Sequence, residues 1–155
     1  MLLKTRLALL GLWIGAMFFF SFFVAPAAFG VLPSTYLAGQ VVSRTLGGLE
    51  ICGLIIGLAL IALLLAAQRG KGFIFELALL LLMLAATAVS RFVVSAWLHQ
   101  IRLDFGERLA GLAADDPTRA TFNLLHQVSV SLTGLTLLAA LALMIFLITR
   151  RSTEQ

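Results

Sequence analysis

From Leu7 to Leu32 the chain carries no charged residue, and a single proline, Pro26, interrupts the apolar run before Pro33. A hydrocarbon core of about 30 Å takes roughly 20 helical residues to cross. The stretch therefore predicts a membrane span over residues 7–32. Three more apolar windows follow: 46–67, with Glu50 near its start; 73–98, with Glu76 and Arg91 inside it; and 128–149. None shows the period-2 alternation of barrel strands. The pattern predicts an all-α integral membrane four-helix bundle, one domain over 1–155, in up-down-up-down order.

The connections are informative too. Pro33-Ser34 reads as a turn followed by an N-cap. Residues 36–44 read either as a short interfacial helix or as the start of helix two. Between spans three and four, Ile101, Phe105, Leu109 and Leu112 recur at helical spacing, and Asp104 and Arg108 are placed for an i, i+4 pair. Helix three is thus expected to run on to about Ala113. Asp115-Asp116-Pro117 then supplies a break, with Asp116 as N-cap and Pro117 at the first helical position. Helices three and four would extend into an outer-side hairpin protruding about 20 Å.

Composition excludes a water-soluble domain. The chain is 61% hydrophobic and 12% charged, against about 45–50% and about 25% in soluble domains. Its net charge of +4 sits at the ends of apolar segments, the positive-inside pattern rather than a nucleic-acid patch. Lys4, Arg6, Arg69, Lys71, Arg150 and Arg151 fall on one side with Glu154. On the other, Arg44, Arg102, Arg108 and Arg119 are offset by Asp104, Glu107, Asp115 and Asp116. Both termini are expected to be cytoplasmic, in a multi-pass protein of a bacterial inner membrane.

Lys4, Arg6 and Ala25-Pro26-Ala27 imitate a cleavable secretory signal. The apolar run of 18 residues from Leu7 to Val24 exceeds the usual length of about 7–15, so a retained span is expected. Cys52 is the single cysteine and excludes a disulfide within the chain.

Polar residues inside spans are expensive and ask for partners. Counting residues from the turn between spans two and three puts Glu50 and Arg91 at one depth near the outer boundary, and an ion pair between them is expected. Glu76, one turn inside the opposite boundary near Lys71, reads as an interfacial charge. Asn123, His126, Ser129, Thr133 and Thr136 lie three or four apart on helix four. Such a stripe faces other helices or bonds back to its own carbonyls; otherwise it lines a pocket.

His99 and His126 are the two histidines, and they are the candidates for a metal (copper) or haem site. A stagger of about 9 Å along the axis makes one shared ion awkward. His126 comes level with Asp104 instead, which predicts a histidine–carboxylate contact. Pro26 would free the carbonyl of Phe22, and Arg91 is a donor that could reach it. Gly11 and Gly15, and Gly53 and Gly57, are spaced for close helix packing. No nucleophile–base set stands out, so no catalytic residue is assigned, no cofactor is expected, and an enzyme is not predicted.

The run Trp13-Ile-Gly-Ala-Met-Phe-Phe-Phe-Ser-Phe-Phe-Val-Ala-Pro-Ala-Ala-Phe-Gly-Val-Leu-Pro33 resembles the transmembrane-protein-205-like domain family. So do Ala38-Gly39-Gln-Val-Val, the Arg91 region and Phe122-Asn-Leu-Leu-His126-Gln-Val-Ser129. The resemblance implies a small four-span membrane protein and carries no chemistry to transfer. In size and layout the chain is also similar to the four-span domains of copper-resistance proteins. It departs from the family at Ser95-Ala96, where members tend to carry a proline, and at Thr133, where they tend to carry an asparagine. The resulting expectation is a non-enzymatic accessory protein working through the lipid bilayer, with a membrane-protein partner or as a homo-oligomer. The alternative is metal or haem handling, or small-solute transport, at an outer cluster of Glu50, Arg91, Asp104, His126, Ser129 and Thr133.

Overall fold

The computed structural model describes residues 2–67, 70, 72–113 and 115–153. They form four long helices: α1 (Leu2–Val31), α2 (Thr35–Ala66), α3 (Phe73–Leu109) and α4 (Pro117–Thr153). All four are long and apolar enough to cross a membrane, and the described residues contain no strand. Each helix packs on two others, α1 and α3 both lying against α2 and α4. In those apolar windows 22% to 33% of the residues are buried. The outward surface carries Leu12, Phe19, Ile55, Ile74, Leu138 and Ile145. Such a surface is stable in lipid, not water, and the chain is a multi-pass membrane protein.

Leu10, Trp13, Met17, Leu60, Leu80, Met83, Ala140 and Leu143 make the core. Helix association in lipid rests on close packing, because the tails are as apolar as the side chains. Two glycines of α2 supply it. A Cβ on Gly53 would lie 2.7 Å from Trp13 Nε1, and one on Gly57 2.6 Å from Leu84 Cδ2. The α1 glycines expected to do the same do not. A Cβ on Gly11 meets Met144 Cε at an ordinary 3.6 Å, and one on Gly15 meets nothing within 4 Å. Spacing showed which glycines share a face; it could not show which face meets a helix.

At one end the beginning of α1, the beginning of α3 and the end of α4 come together around Glu76. This residue is 2% exposed. It pairs with Arg6 through Oε2 and with Arg150 Nη1 at 3.2 Å through Oε1. Reading Glu76 as an interfacial charge was therefore wrong: it is the shared counter-ion of a buried cluster. Arg69, Lys71 and Glu154, counted for orientation, lie outside the described residues, as does the side chain of Arg151.

Helix two starts at Thr35, well before residue 46, so the 36–44 segment is its first turns and not a separate helix. Ser34 is the N-cap, its Oγ accepting from Leu37 N–H at 3.2 Å. Asp116 caps α4 as expected, Oδ1 accepting from Thr118 N–H at 2.7 Å.

The end of α3 differs from expectation. Its α-helical geometry stops at Phe105, Gly106 takes φ +54°, and a 3-10 segment runs Gly106–Gly111. That change of period removes the Asp104–Arg108 pairing, and Gln100 Nε2 donates to Asp104 instead at 3.2 Å. The 3-10 segment packs against α2. The extension beyond the predicted spans thus involves three helices rather than a pair.

Candidate functional site

Two π turns mark the level of the site. Phe20–Val24 interrupts α1 and ends two residues before Pro26, with Ala25 N–H bonded to the Phe20 carbonyl. Ser90–Val94 interrupts α3, with Ser95 N–H bonded to the Ser90 carbonyl. A π turn inserts one residue, widens the helix and rotates the side chains that follow it. Here both insertions border one cleft of about 900 Å³.

The cleft draws on all four helices: the C-terminal part of α1, the N-terminal part of α2, the C-terminal part of α3 and the N-terminal part of α4. From α1 come the apolar Phe20, Phe22, Pro26 and Phe29. The other helices add polar and cationic groups beside apolar ones such as Ile51 and Leu137. Arg91, Ser95, His99 and Arg102 come from one face of α3, and Arg44 joins them from α2. From α4 come His126, Ser129 and Thr133.

Glycines seat the two inner arginines. The Arg91 guanidinium carbon lies 3.8 Å from where a Cβ of Gly47 would be, and Arg102 Nη2 lies 3.4 Å from that of Gly39. Gly39 and Gly47 are two turns apart on α2, and Arg91 and Arg102 three turns apart on α3, so one groove takes both side chains. Arg102 also donates to Ser43 Oγ and sits 5.2 Å from the Phe122 ring centroid, within cation–π range. Neither Gly39, Gly47 nor Arg102 was picked out for the cleft from the sequence. Their helical spacing is the signal that could have found them.

The expected Glu50–Arg91 ion pair does not form. Glu50 is 5% exposed and its Oε1 accepts from Ser90 Oγ at 2.5 Å. Glu50 Oε2 and Arg91 Nε are both buried without a hydrogen-bond partner. Depth was right to within one residue; the π turn beginning at Ser90 sets which side chain α3 turns toward Glu50. A small cavity of about 20 Å³, lined by Trp13, Glu50, Thr87, Ser90, Thr133 and Thr136 among others, adjoins it. Ser90→Ala is expected to cost about 1–3 kcal/mol, the penalty for stripping a buried carboxylate of its donor. Thermal unfolding in detergent measures it, and a loss below about 0.5 kcal/mol would make the bond immaterial.

The histidine–carboxylate expectation also fails: Asp104 is exposed and bonded to Gln100, and His126 makes no hydrogen bond to it. His99 and His126 are both exposed and both line the cleft. No group of three or more metal-ligating side chains occurs among the described residues. Thr133 donates to the Ser129 carbonyl at 3.0 Å and Thr136 to the Leu132 carbonyl at 2.9 Å. That much of the polar stripe on α4 bonds back to its own helix. Arg91 makes no hydrogen bond among the described residues, so it does not serve the carbonyl that Pro26 was expected to free.

Residues 8–105 match the sequence profile of DUF4149, a domain of unknown function. The matched stretch holds Glu50, Arg91, His99 and Arg102, whereas the α4 side of the cleft lies beyond it. No curated protein and no solved structure matches the chain.

Proposed function

The chain belongs to the DUF4149 family, a domain of unknown function, and we propose that it is a non-enzymatic membrane protein that binds an amphiphilic ligand in its cleft. In this reading it acts as an accessory to partner membrane proteins or to further copies of itself. The observation that carries it is the cleft: about 900 Å³, lined both by phenylalanines of α1 and by three arginines. Ligand sites have this make-up, mostly apolar with a few placed polar groups.

The same reading runs the helices up-down-up-down, with both termini cytoplasmic in a bacterial inner membrane and the cleft on the outer side. It is supported by the meeting of Arg6, Glu76 and Arg150 away from the cleft, with Lys4 in the first turns of α1. The likeness to the transmembrane-protein-205-like domain family fits this layout.

Gly134 gives the test. It lines the cleft, and a Cβ there would meet nothing within 4 Å. Gly134→Leu is expected to fill the space and cut lipid co-purifying with the full chain, read by native mass spectrometry, by about tenfold. Equal retention would overturn the reading.

His99 and His126 opening onto one cleft favours a second reading, copper or haem handling or small-solute transport. A Soret band or stoichiometric copper lost on His126→Ala would establish it over the first.

A further inference from the structure

Resting on the cleft reading, we propose that the ligand is a membrane lipid with an anionic phosphate head, held by Arg91 and Arg102 with Arg44 at the rim. Three arginines line the cleft, and no carboxylate does. Glu50 is not among the lining residues and is bonded to Ser90. Assigning its whole charge to Arg91 still leaves Arg44 and Arg102 unopposed. Asp104, the nearest acid along α3, is exposed and bonded to Gln100 on its own helix.

The other end of the molecule shows what neutralisation looks like in this protein, where Arg6 and Arg150 share the Glu76 carboxylate. A guanidinium has five N–H donors. Arg91 uses none in a hydrogen bond among the described residues, its Nε being buried without a partner, and Arg102 gives one to Ser43. These planar forks match a phosphate in bidentate fashion. Cations beside the ends of spans without a partner acid draw an anion, and basic pockets between spans take lipid phosphates.

The tail has a place as well. Phe20, Phe22 and Phe29 line the same cleft as the arginines, so a ligand with its head at the arginines has aromatic rings within the cleft for its chains. A free inorganic anion would use the arginines and leave the apolar lining idle. One ligand uses both kinds of lining only if it is amphiphilic.

The test uses the full chain in detergent micelles with three probes: dioleoyl phosphatidylglycerol, dioleoyl phosphatidylcholine and inorganic phosphate. Native mass spectrometry reads the lipid retained, and thermal unfolding reads stabilisation. The unsubstituted chain is expected to retain the anionic lipid about tenfold over the zwitterionic one, with little stabilisation by inorganic phosphate. Arg91→Gln combined with Arg102→Gln should bring that ratio near one while total lipid persists. Arg44→Gln, at an exposed side chain, should lower it about two- to threefold, and tests the proposal should the double variant not fold. Equal retention of the two lipids by the unsubstituted chain overturns the proposal and leaves the cleft reading standing. So does an unchanged ratio in the arginine variants, or stabilisation by phosphate equal to that by the anionic lipid. Unchanged retention in Gly134→Leu instead overturns the cleft reading itself.

Discussion

Replacing Glu76 by Gln is expected to destabilise the protein by about 3–5 kcal/mol, the usual result of removing one partner from a buried ion pair. Glu76 has a side chain 3% exposed and bonds Arg6, whose own side chain is 8% exposed. An amide keeps the shape but leaves a buried guanidinium without a counter-charge. For a chain of this size each kcal/mol shifts Tm by roughly 2–4 °C, so the expected drop is on the order of 10 °C in a detergent melt.

The two arginines are not equivalent. Arg150 has a side chain 30% exposed and can carry its charge to the headgroups. Arg150→Gln is therefore expected to cost about 1 kcal/mol or less. Arg6 has no such route. If charge desolvation is the cause, Arg6→Met combined with Glu76→Leu should recover most of the loss, because buried pairs are often matched by well-packed apolar residues. A Glu76→Gln variant within 1 kcal/mol of the unsubstituted chain would show that the cluster contributes little.

How far the sequence could be read follows from what its patterns encode. Residue counting along apolar runs encodes depth, and depth brought Glu50 within one residue of its partner. It carries no information on rotation, and the π turn Ser90–Val94 decides which side chain of α3 reaches α2. Glu76 differs from expectation for another reason. Lys71 is its neighbour in sequence, but its partners Arg6 and Arg150 come from other helices at similar depth. The helix starts at Ser34 and Asp116 were legible because capping is local chemistry. The cleft was not, because it is a failure of four helices to close on one another. Its polar residues were partly foreseen in His126, Ser129 and Thr133, while the arginine seats at Gly39 and Gly47 went unread.

Gly72 combines two constraints, and its replacement by Ala is expected to cost roughly 2–5 kcal/mol. Its φ of +93° lies in the left-handed region, where a side chain adds about 1–2 kcal/mol of strain. A Cβ there would also lie 2.6 Å from Phe146 Cζ, and Phe146 is held in place by Phe75, the ring centroids 5.0 Å apart. Overpacking of this kind costs about 1–3 kcal/mol. The two terms separate in a double-mutant cycle. Phe146→Ala should relieve the clash and leave the backbone strain, so Gly72→Ala made in that background should cost only about 1–2 kcal/mol. Asn tolerates left-handed φ better than Ala, so Gly72→Asn in the same background should cost less still. If Gly72→Ala costs as much without the Phe146 ring as with it, the contact with α4 is unimportant and the turn's backbone alone requires glycine.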